Sequence, residues 1–220
     1  MKALEPTKVL GLVLKATPIG ENDKRVVLLT SKIGKITAFA RGARRQNSQL
    51  LGATMPFAFG EYTIYEGRSS NTLVSGSVQN HFSKLYEDLN ASYTGMYLLE
   101  FADYYTHEYN DEKQMLGLLY QSLRALESDA IPNALVRCVF EWRTFVINGE
   151  YPDISRLRLS ESARYALQYI TEVRIEKLYT FAVSGSVLAE MQQVTDALCR
   201  QYINKEFKTL EVLKGLELAD

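Results

Sequence analysis

Residues 34–67 read GKITAFARGARRQNSQLLGATMPFAFGEYTIYEG, and this stretch decides the fold of the first part of the chain. Two segments rich in β-branched and aromatic residues are joined by a loop rich in cations and amides. Side chains alternate between the two faces of a strand, so the first segment has one small apolar face. That face consists of Ile36, Ala38 and Ala40. The opposite face carries cations around an aromatic ring and consists of Lys35, Thr37, Phe39 and Arg41.

Cations recur on both sides of this segment. A phosphate backbone with bases stacked beside it requires this combination of cations and rings. The sequence thus predicts a nucleic-acid-binding surface rather than a catalytic one. Its candidate residues are Lys24, Arg25, Lys35, Phe39, Arg41, Arg44 and Arg45. Two alternatives stay open, because the arginines could belong to a solvated turn and Phe39 could lie in a core.

The distribution of charge supports this interpretation. The net charge is -1, which by itself argues against a nucleic-acid partner. Residues 1–80, however, carry eleven Lys and Arg against five Asp and Glu, whereas the remainder carries 14 against 21. The basic first part is suited to attract a polyanion, and the acidic second part is better suited to meet protein.

Signals for membrane insertion, catalysis and metal binding are weak. The apolar stretch Val9–Leu14 is too short to span a bilayer, so we expect a cytoplasmic chain without a membrane partner. Cys138 and Cys199 are too few for a four-cysteine zinc site and are expected to be reduced core thiols. His81 and His107 lack a partner at motif spacing, and no phosphate-binding glycine loop or HExxH motif occurs. The sequence predicts no catalytic residue, no metal, no cofactor and no enzymatic activity.

The period of the apolar residues divides the chain near residue 82. Before it, we predict five short strands at Val9–Thr17, Lys24–Ser31, Lys35–Gly42, Phe57–Glu66 and Thr72–Val78. With no helix among them and one long loop at Ala43–Pro56, they predict a small barrel of the oligonucleotide/oligosaccharide-binding (OB) type. On the fourth strand, one face is expected to hold Phe57, Phe59 and Tyr65, and the other Tyr62 and Ile64.

After residue 82, apolar residues recur every three or four positions, which predicts helices. The first apolar stripe is Leu85, Leu89, Tyr93, Met96, Leu99 and Ala102. The second is Leu116, Leu119, Leu123 and Leu126, and the third is Leu135, Val139, Trp142, Phe145 and Val146. Shorter helices are predicted at about residues 160–170, 186–203 and 207–215. The predicted fold class is α+β, with an OB barrel over residues 1–81 and an all-α bundle over residues 82–220.

Several segments resemble a known family. The strongest are GENDKRVVLLTSKIGKITAFARGARR at residues 20–45 and LLGATMPFAFGEYTIYEGR at residues 50–68. Together with EFAD at residues 100–103 and FEWR at residues 140–143, they resemble the RecO family of bacterial recombination mediators over most of the chain. The resemblance implies an N-terminal OB barrel followed by a helical domain, which agrees with the division above.

One departure from the family concerns metal. Many members carry a cysteine-rich, zinc-binding insertion near the position of Tyr151–Leu159. This sequence reads YPDISRLRL there and has no cysteine in that segment. It therefore resembles the zinc-free branch of the family.

The resemblance implies a non-enzymatic role in DNA repair and homologous recombination. Such proteins bind single- and double-stranded DNA and anneal complementary strands. They bind the C-terminal tail of the single-strand-binding protein and, with RecR, help to load RecA, which is thus an indirect partner. A cytoplasmic protein associated with the nucleoid is the corresponding expectation.

The protein contacts are expected in the helical part. A short acidic tail with an apolar end requires an apolar pocket and a cation for its terminal carboxylate. The candidates beside the second and third stripes are Arg124, Arg137 and Arg143. Each could instead be a surface arginine paired with Glu127 or Glu141. Two other functional classes stay open, namely a protein adaptor with incidental DNA binding and an enzyme acting on an anionic polymer.

Overall fold

The first part of the chain forms a closed β-barrel of five strands, in a computed structural model that describes residues 5–217. The strands are β1 (Thr7–Ile19), β2 (Asp23–Thr30), β3 (Gly34–Ala40), β4 (Phe59–Glu66) and β5 (Asn71–Asn80). Around the barrel they follow the order β1, β2, β3, β5, β4. Neighbouring strands are antiparallel except β3 and β5, which run parallel over a short contact. The predicted OB-type barrel is confirmed.

The barrel encloses an apolar core because inward-facing residues alternate along each strand. On β3, the inward residues Ile36, Ala38 and Ala40 are at most 1% exposed. They pack with inward residues of the other strands, namely Val9, Val13, Val26, Leu28, Tyr62, Ile64 and Leu73. The apolar face predicted for β3 is therefore confirmed, and its opposite face points outward.

A single helical turn, α1 (Leu50–Ala53), lies between β3 and β4, where the sequence predicted only a loop. Leu50 and Ala53 belong to the barrel core. The Tyr62 phenol donates hydrogen bonds to the carbonyl oxygens of Ala53 (3.1 Å) and Ala58 (2.9 Å), which ties the turn to β4. Four residues contain too few apolar positions to define a helical period, and for this reason the turn was missed.

The aromatic residues near β4 do not follow the predicted alternation. Phe57 precedes the strand in a left-handed conformation (φ 68°) and is 2% exposed. A bulge then shifts the register between Phe59 and Gly60. Tyr62 lies in the core, whereas Tyr65 is 41% exposed on the outer surface. The prediction of one shared face for Phe57, Phe59 and Tyr65 was wrong, because Phe57 lies before the strand and Phe59 is buried whereas Tyr65 is exposed. From Gly60 onward β4 does alternate, with Tyr62 and Ile64 both buried.

The remainder of the described chain is helical, as predicted. The α-helices are α2 (Leu89–Tyr105), α3 (Lys113–Leu126), α4 (Asn133–Asn148), α5 (Glu161–Glu172), α6 (Gly185–Tyr202) and α7 (Lys208–Glu217). Short 3-10 turns lie at Ser83–Tyr86, Ile154–Arg156 and Ile175–Lys177. None of the helices described in residues 5–217 is long and apolar enough to cross a membrane.

The third predicted stripe is correct and the first is only partly so. On α4, Leu135, Val139, Trp142 and Phe145 are buried, and the last stripe residue, Val146, is half-buried. On α2, Leu99 and Ala102 are buried, but Leu89 and Met96 are 60% and 39% exposed. The buried positions there include Tyr97, Leu98, Phe101 and Tyr105. Apolar residues occupy most sides of α2, so their spacing does not determine which side is buried.

Two compact units can be distinguished. The first combines the chain up to Glu87 with Leu99–Leu116, and the second combines Asp88–Leu98 with the chain from Gly117 onward. Helices α2 and α3 thus each supply residues to both units. The functional boundary between residues 81 and 82 stays a prediction.

Candidate nucleic-acid interface

The outer face of β2 and β3 presents the predicted aromatic ring beside a predicted cation. Arg25 on β2 pairs directly with Phe39 on β3. Both side chains are exposed, Phe39 to 36%. On its other side Phe39 is level with Thr72 of β5, which in turn pairs with Tyr65 of β4. Barrel closure therefore aligns Arg25, Phe39 and Tyr65 in one row on the outer surface.

Three more exposed arginines follow directly after β3: Arg41, Arg44 and Arg45. The backbone N–H of Arg44 donates to the Asn22 carbonyl oxygen (2.9 Å), and its guanidinium Nη1 donates to the Gly20 carbonyl oxygen (2.8 Å). These bonds hold the turn of residues 41–45, which we call the arginine turn, against the loop between β1 and β2. In OB barrels, that loop flanks the face of strands 2 and 3 on which oligonucleotides bind.

The conformation of the arginine turn depends on Gly42. Its φ of 67° lies in the left-handed region, which a glycine adopts without steric cost. The Gly42 N–H donates to the Asp23 carboxylate (2.7 Å), which anchors the turn to the start of β2. The side chain of Arg45 lies over this glycine, 3.5 Å from the position that a Cβ would take.

The two predicted lysines are placed differently from the arginines. The Lys24 ammonium donates to Thr54 Oγ1 (3.0 Å), and burial together with the neighbouring Arg44 lowers the pKa of Lys24. The Lys35 ammonium forms an ion pair with Asp103 Oδ1 (3.1 Å), and its side chain is 17% exposed. Each ammonium already contacts protein oxygens. Neither lysine is therefore placed to bind a phosphate as the exposed arginines are.

We call Arg25, Phe39, Arg41, Arg44 and Arg45 the arginine face. A guanidinium has up to five N–H donors in a planar fork that matches phosphate geometry. The single hydrogen bond of Arg44 to Gly20 leaves most of its donors for another acceptor. The arginine face thus combines several exposed guanidinium groups, which can donate hydrogen bonds to phosphate, with one exposed aromatic ring.

Two residues beyond the predicted set extend this surface, Arg68 and Tyr109. Both line a groove of about 230 Å³ that Phe39 also lines. Arg68 lies in the β4–β5 turn, which is the second loop that flanks the binding face of OB barrels. Its place in that predicted turn could have marked it as a candidate binding residue. Tyr109 is 63% exposed and lies after α2, far from Phe39 in sequence, and no sequence pattern points to it.

The three predicted partner-binding arginines do not form one site. Arg124 is exposed in the last turn of α3. Arg143 instead donates from Nη1 to the carbonyl oxygens of Ile170 (2.8 Å) and Thr171 at the end of α5. Cations stabilise a helix C-terminus by satisfying its last carbonyls, so the placement of Arg143 is that of a structural residue.

Arg137 belongs to a buried polar network. Its guanidinium contacts the carboxylates of Glu141 (3.4 Å) and Asp196 (3.8 Å). The Tyr97 phenol donates to Glu141 Oε1 (2.7 Å), and the Glu141 side chain is 1% exposed. Burial raises the pKa of Glu141, and the neighbouring Arg137 opposes that shift. The guanidinium of Arg137 is thus bound by carboxylates of its own chain and is largely buried, which corrects the expectation of a surface arginine.

Residues with potential for catalysis or metal binding are scattered. In the part of the chain that the structure describes, no group of three or more His, Cys, Asp or Glu is arranged to hold a metal ion. Cys138 is buried and Cys199 partly buried, both as free thiols. Burial raises the pKa of each thiol, which keeps both protonated at neutral pH.

Comparison with known proteins gives the family. The model of "Recombination protein O N terminal" matches residues 2–82, and that of "Recombination protein O C terminal" matches residues 86–157. The chain belongs to the RecO family. The predicted resemblance is therefore confirmed, and with it a role in DNA repair and recombination.

Individual RecO relatives support the same conclusion. The DNA repair protein RecO of Acetivibrio thermocellus is 27% identical, over 96% of this chain and 97% of that protein. Those of Alkaliphilus metalliredigens and Listeria welshimeri are 31% and 30% identical, over 67% and 68% of this chain and 60% and 58% of those proteins.

Proposed function

We propose that this RecO family member is a non-enzymatic recombination mediator that binds single- and double-stranded DNA and anneals complementary strands. The observation that carries the proposal is the arginine face, in which the exposed ring of Phe39 lies beside Arg25 on the β2–β3 face of an OB barrel and three more exposed arginines follow directly after β3. Phosphate contacts supply affinity for any sequence, and the ring supplies a stacking partner for unpaired bases.

The same arrangement supports annealing. Two strands can pair only if their bases are held loosely, so a mediator should hold the phosphates rather than the base edges. The side chains of the arginine face are cations and one ring, which bind phosphate and stack without reading base edges. Duplex DNA would bind through the cations alone.

We further propose that the helical unit binds protein partners, namely the tail of the single-strand-binding protein and RecR, and thereby helps to load RecA. The family supports this assignment, as does the exposure of Arg124 beside the buried Leu123 and Leu126. Arg137 and Arg143 contribute as structural residues of that unit. A functional boundary at residues 81/82 and a place at the cytoplasmic nucleoid complete the proposal.

The experiment that tests DNA binding is a titration of the full chain with fluorescent oligonucleotides at several salt concentrations. We expect binding of single and double strands that weakens steeply with salt, and faster pairing of complementary strands. Little binding at any salt would favour the alternative of a protein adaptor. Turnover of the oligonucleotide would favour an enzyme acting on an anionic polymer.

The partner assignment is tested separately with a tail peptide of the single-strand-binding protein, measured by fluorescence anisotropy. Arg124→Glu should abolish peptide binding while DNA binding is retained, because the substituted side chain repels an acidic tail. Lys177→Glu, which reverses another exposed cation of the same unit, is the matched control and should bind normally. Normal peptide binding by the Arg124 variant would contradict the assignment.

A further inference from the structure

A groove beside the arginine face is lined by two aromatic residues. Phe39 lies on β3, and Tyr109 lies in the segment that follows α2. The β4–β5 turn, residues 67–70, forms another wall and contributes Arg68. All of these residues belong to the first compact unit.

The groove lies where the barrel closes. Strand β3 pairs with β5 only at Ala38 and Phe39. Closer to its start, its free edge is instead bridged by Glu108 through Gly34 and Lys35. Between these two contacts the backbone edge of β3 is covered only in part, by the Asn71 amide that donates to the Thr37 carbonyl oxygen (3.2 Å). The gap between these two contacts thus forms a slot that is lined by aromatic rings and by hydrogen-bonding groups.

Tyr109 is held in this position by an unusual backbone conformation. Its φ of 60° lies in the left-handed region, which residues other than glycine seldom adopt. The Glu108 bridge to β3 fixes the preceding residue. Even so, the ring is 63% exposed, so the conformation does not serve to bury it.

The size and polarity of the groove favour one planar ring as its occupant. Its volume of about 230 Å³ is below the roughly 300–1,000 Å³ that is typical of small-molecule pockets. Its rings offer stacking surfaces, and Thr37, Ser70 and Asn71 offer polar groups for the edge of a ring. Glu108 also lines the groove and brings a negative charge near it, which disfavours a phosphate as the occupant.

We propose that this groove is a nucleobase slot, in which one unstacked base of a single strand lies against Phe39 and Tyr109. The slot rests on the proposed DNA binding by the arginine face and adds strand selectivity to it. The phosphates on either side of the bound base lie on the arginines of the arginine face and on Arg68, which lines the slot. A duplex cannot use the slot, because its bases are stacked and paired.

The test compares Tyr109→Asn and Tyr109→Phe with the wild-type chain. Asparagine tolerates the left-handed backbone and removes the ring, whereas phenylalanine keeps the ring. We expect Tyr109→Asn to bind a single-stranded oligonucleotide about 5- to 150-fold more weakly, the loss that one stacked base contributes. Its salt slope and its affinity for duplex should stay unchanged, and Tyr109→Phe should bind like the wild type. Tyr165→Asn, at an exposed tyrosine of α5, is the matched control.

The outcomes separate the slot from the proposed function. If the wild-type chain binds DNA and Tyr109→Asn binds single strands equally well, the slot is refuted and the arginine face is not. A loss of duplex affinity equal to the loss for single strands would also refute the slot, because duplex bases do not enter it. If the wild-type chain binds no DNA, the proposed function fails first. Equal melting temperatures of the variants establish that folding does not cause the difference.

Discussion

Lys35 and Arg41 were predicted to share the outer face of one strand, but Arg41 lies just beyond the end of β3 and the two residues differ in what they contact. Lys35 donates to the backbone oxygen of Asp103 (2.5 Å) and to its carboxylate (3.1 Å), whereas Arg41 is exposed in the arginine turn. Strand alternation identifies the outer face on which Lys35 lies. It does not identify Asp103, which comes from a helix distant in sequence. For this reason the sequence predicted the same role for both cations.

The first prediction compares these two residues. Lys35→Met removes two hydrogen bonds of a charged group and should lower the free energy of unfolding by about 1.5–3 kcal/mol, with little change in the salt slope of DNA binding. Arg41→Met should leave stability within about 0.5 kcal/mol and reduce the single-strand salt slope by about 0.7. Urea unfolding and oligonucleotide titration measure the two quantities. An equal loss of salt slope in both variants would contradict this prediction. It would mean that Lys35 leaves Asp103 and contacts a phosphate when DNA binds.

At the scale of elements, helix α4 shows which parts of the fold the sequence predicts well. Four of its five predicted stripe residues are buried, and Gly149 ends it with a left-handed residue, so the stripe and the end of the helix follow from sequence. The same holds for β3, whose small apolar face alternates without interruption. The burial of Arg137 and Glu141 on other sides of α4 does not follow from sequence. The polar partners of α4 do not follow from sequence, because Asp196 comes from another helix.

Two other elements could not be predicted in full. The bulge at Phe59 and Gly60 depends on the pairing of β4 with β5, which a single strand pattern does not contain. Tyr109 joins Phe39 only because the segment after α2 bridges to the start of β3. The candidate site was therefore predictable where it lies on regular strands and their turns, and not where a distant segment completes it.

The second prediction concerns the network on α4. Arg137→Met should lower the free energy of unfolding by about 3–5 kcal/mol at pH 7, because the nearly inaccessible Glu141 loses its opposite charge. Burial already raises the pKa of Glu141, and loss of the guanidinium would raise it further. The folded variant would then bind a proton more tightly than the unfolded chain, whose glutamate pKa is about 4.3. Its stability should therefore fall as pH rises through the folded pKa and recover as pH is lowered.

Urea unfolding between pH 5 and pH 8 measures this effect, and the exposed Arg124→Met is the matched control. The control should differ from the wild type by less than about 0.5 kcal/mol at every pH. A deficit of Arg137→Met that does not depend on pH would show that the loss comes from packing rather than from the charge on Glu141.

At the scale of the whole molecule, the sequence separates a basic part from an acidic one. Eleven of the 25 Lys and Arg lie in the first 80 residues, with five of the 26 Asp and Glu. The structure refines this picture, because the lysines at 24 and 35 bind protein oxygens and the exposed arginines remain. Net charge thus predicts the type of partner, and the contacts decide which cations can reach it.

The third prediction is the absence of a structural metal. A structural zinc site requires about four protein ligands. Cys138 is buried on α4, and the described residues contain no group of three or more His, Cys, Asp or Glu that could hold a metal ion. The purified chain should contain no stoichiometric zinc and should unfold at the same temperature with and without chelator. Elemental analysis that finds one zinc per chain would contradict the assignment to the zinc-free branch.

The central claim, that the arginine face binds phosphates, is tested most directly by the salt dependence of single-strand binding. The double variant Arg44→Ala/Arg45→Ala should reduce the slope of log affinity against log salt by about 1.4, at about 0.7 per phosphate contact, and weaken all sequences alike. Arg156→Ala/Arg158→Ala, which removes two exposed arginines of the segment after α4, should leave the slope unchanged. An unchanged slope in the Arg44/Arg45 variant would contradict the account, because the DNA would then lie elsewhere.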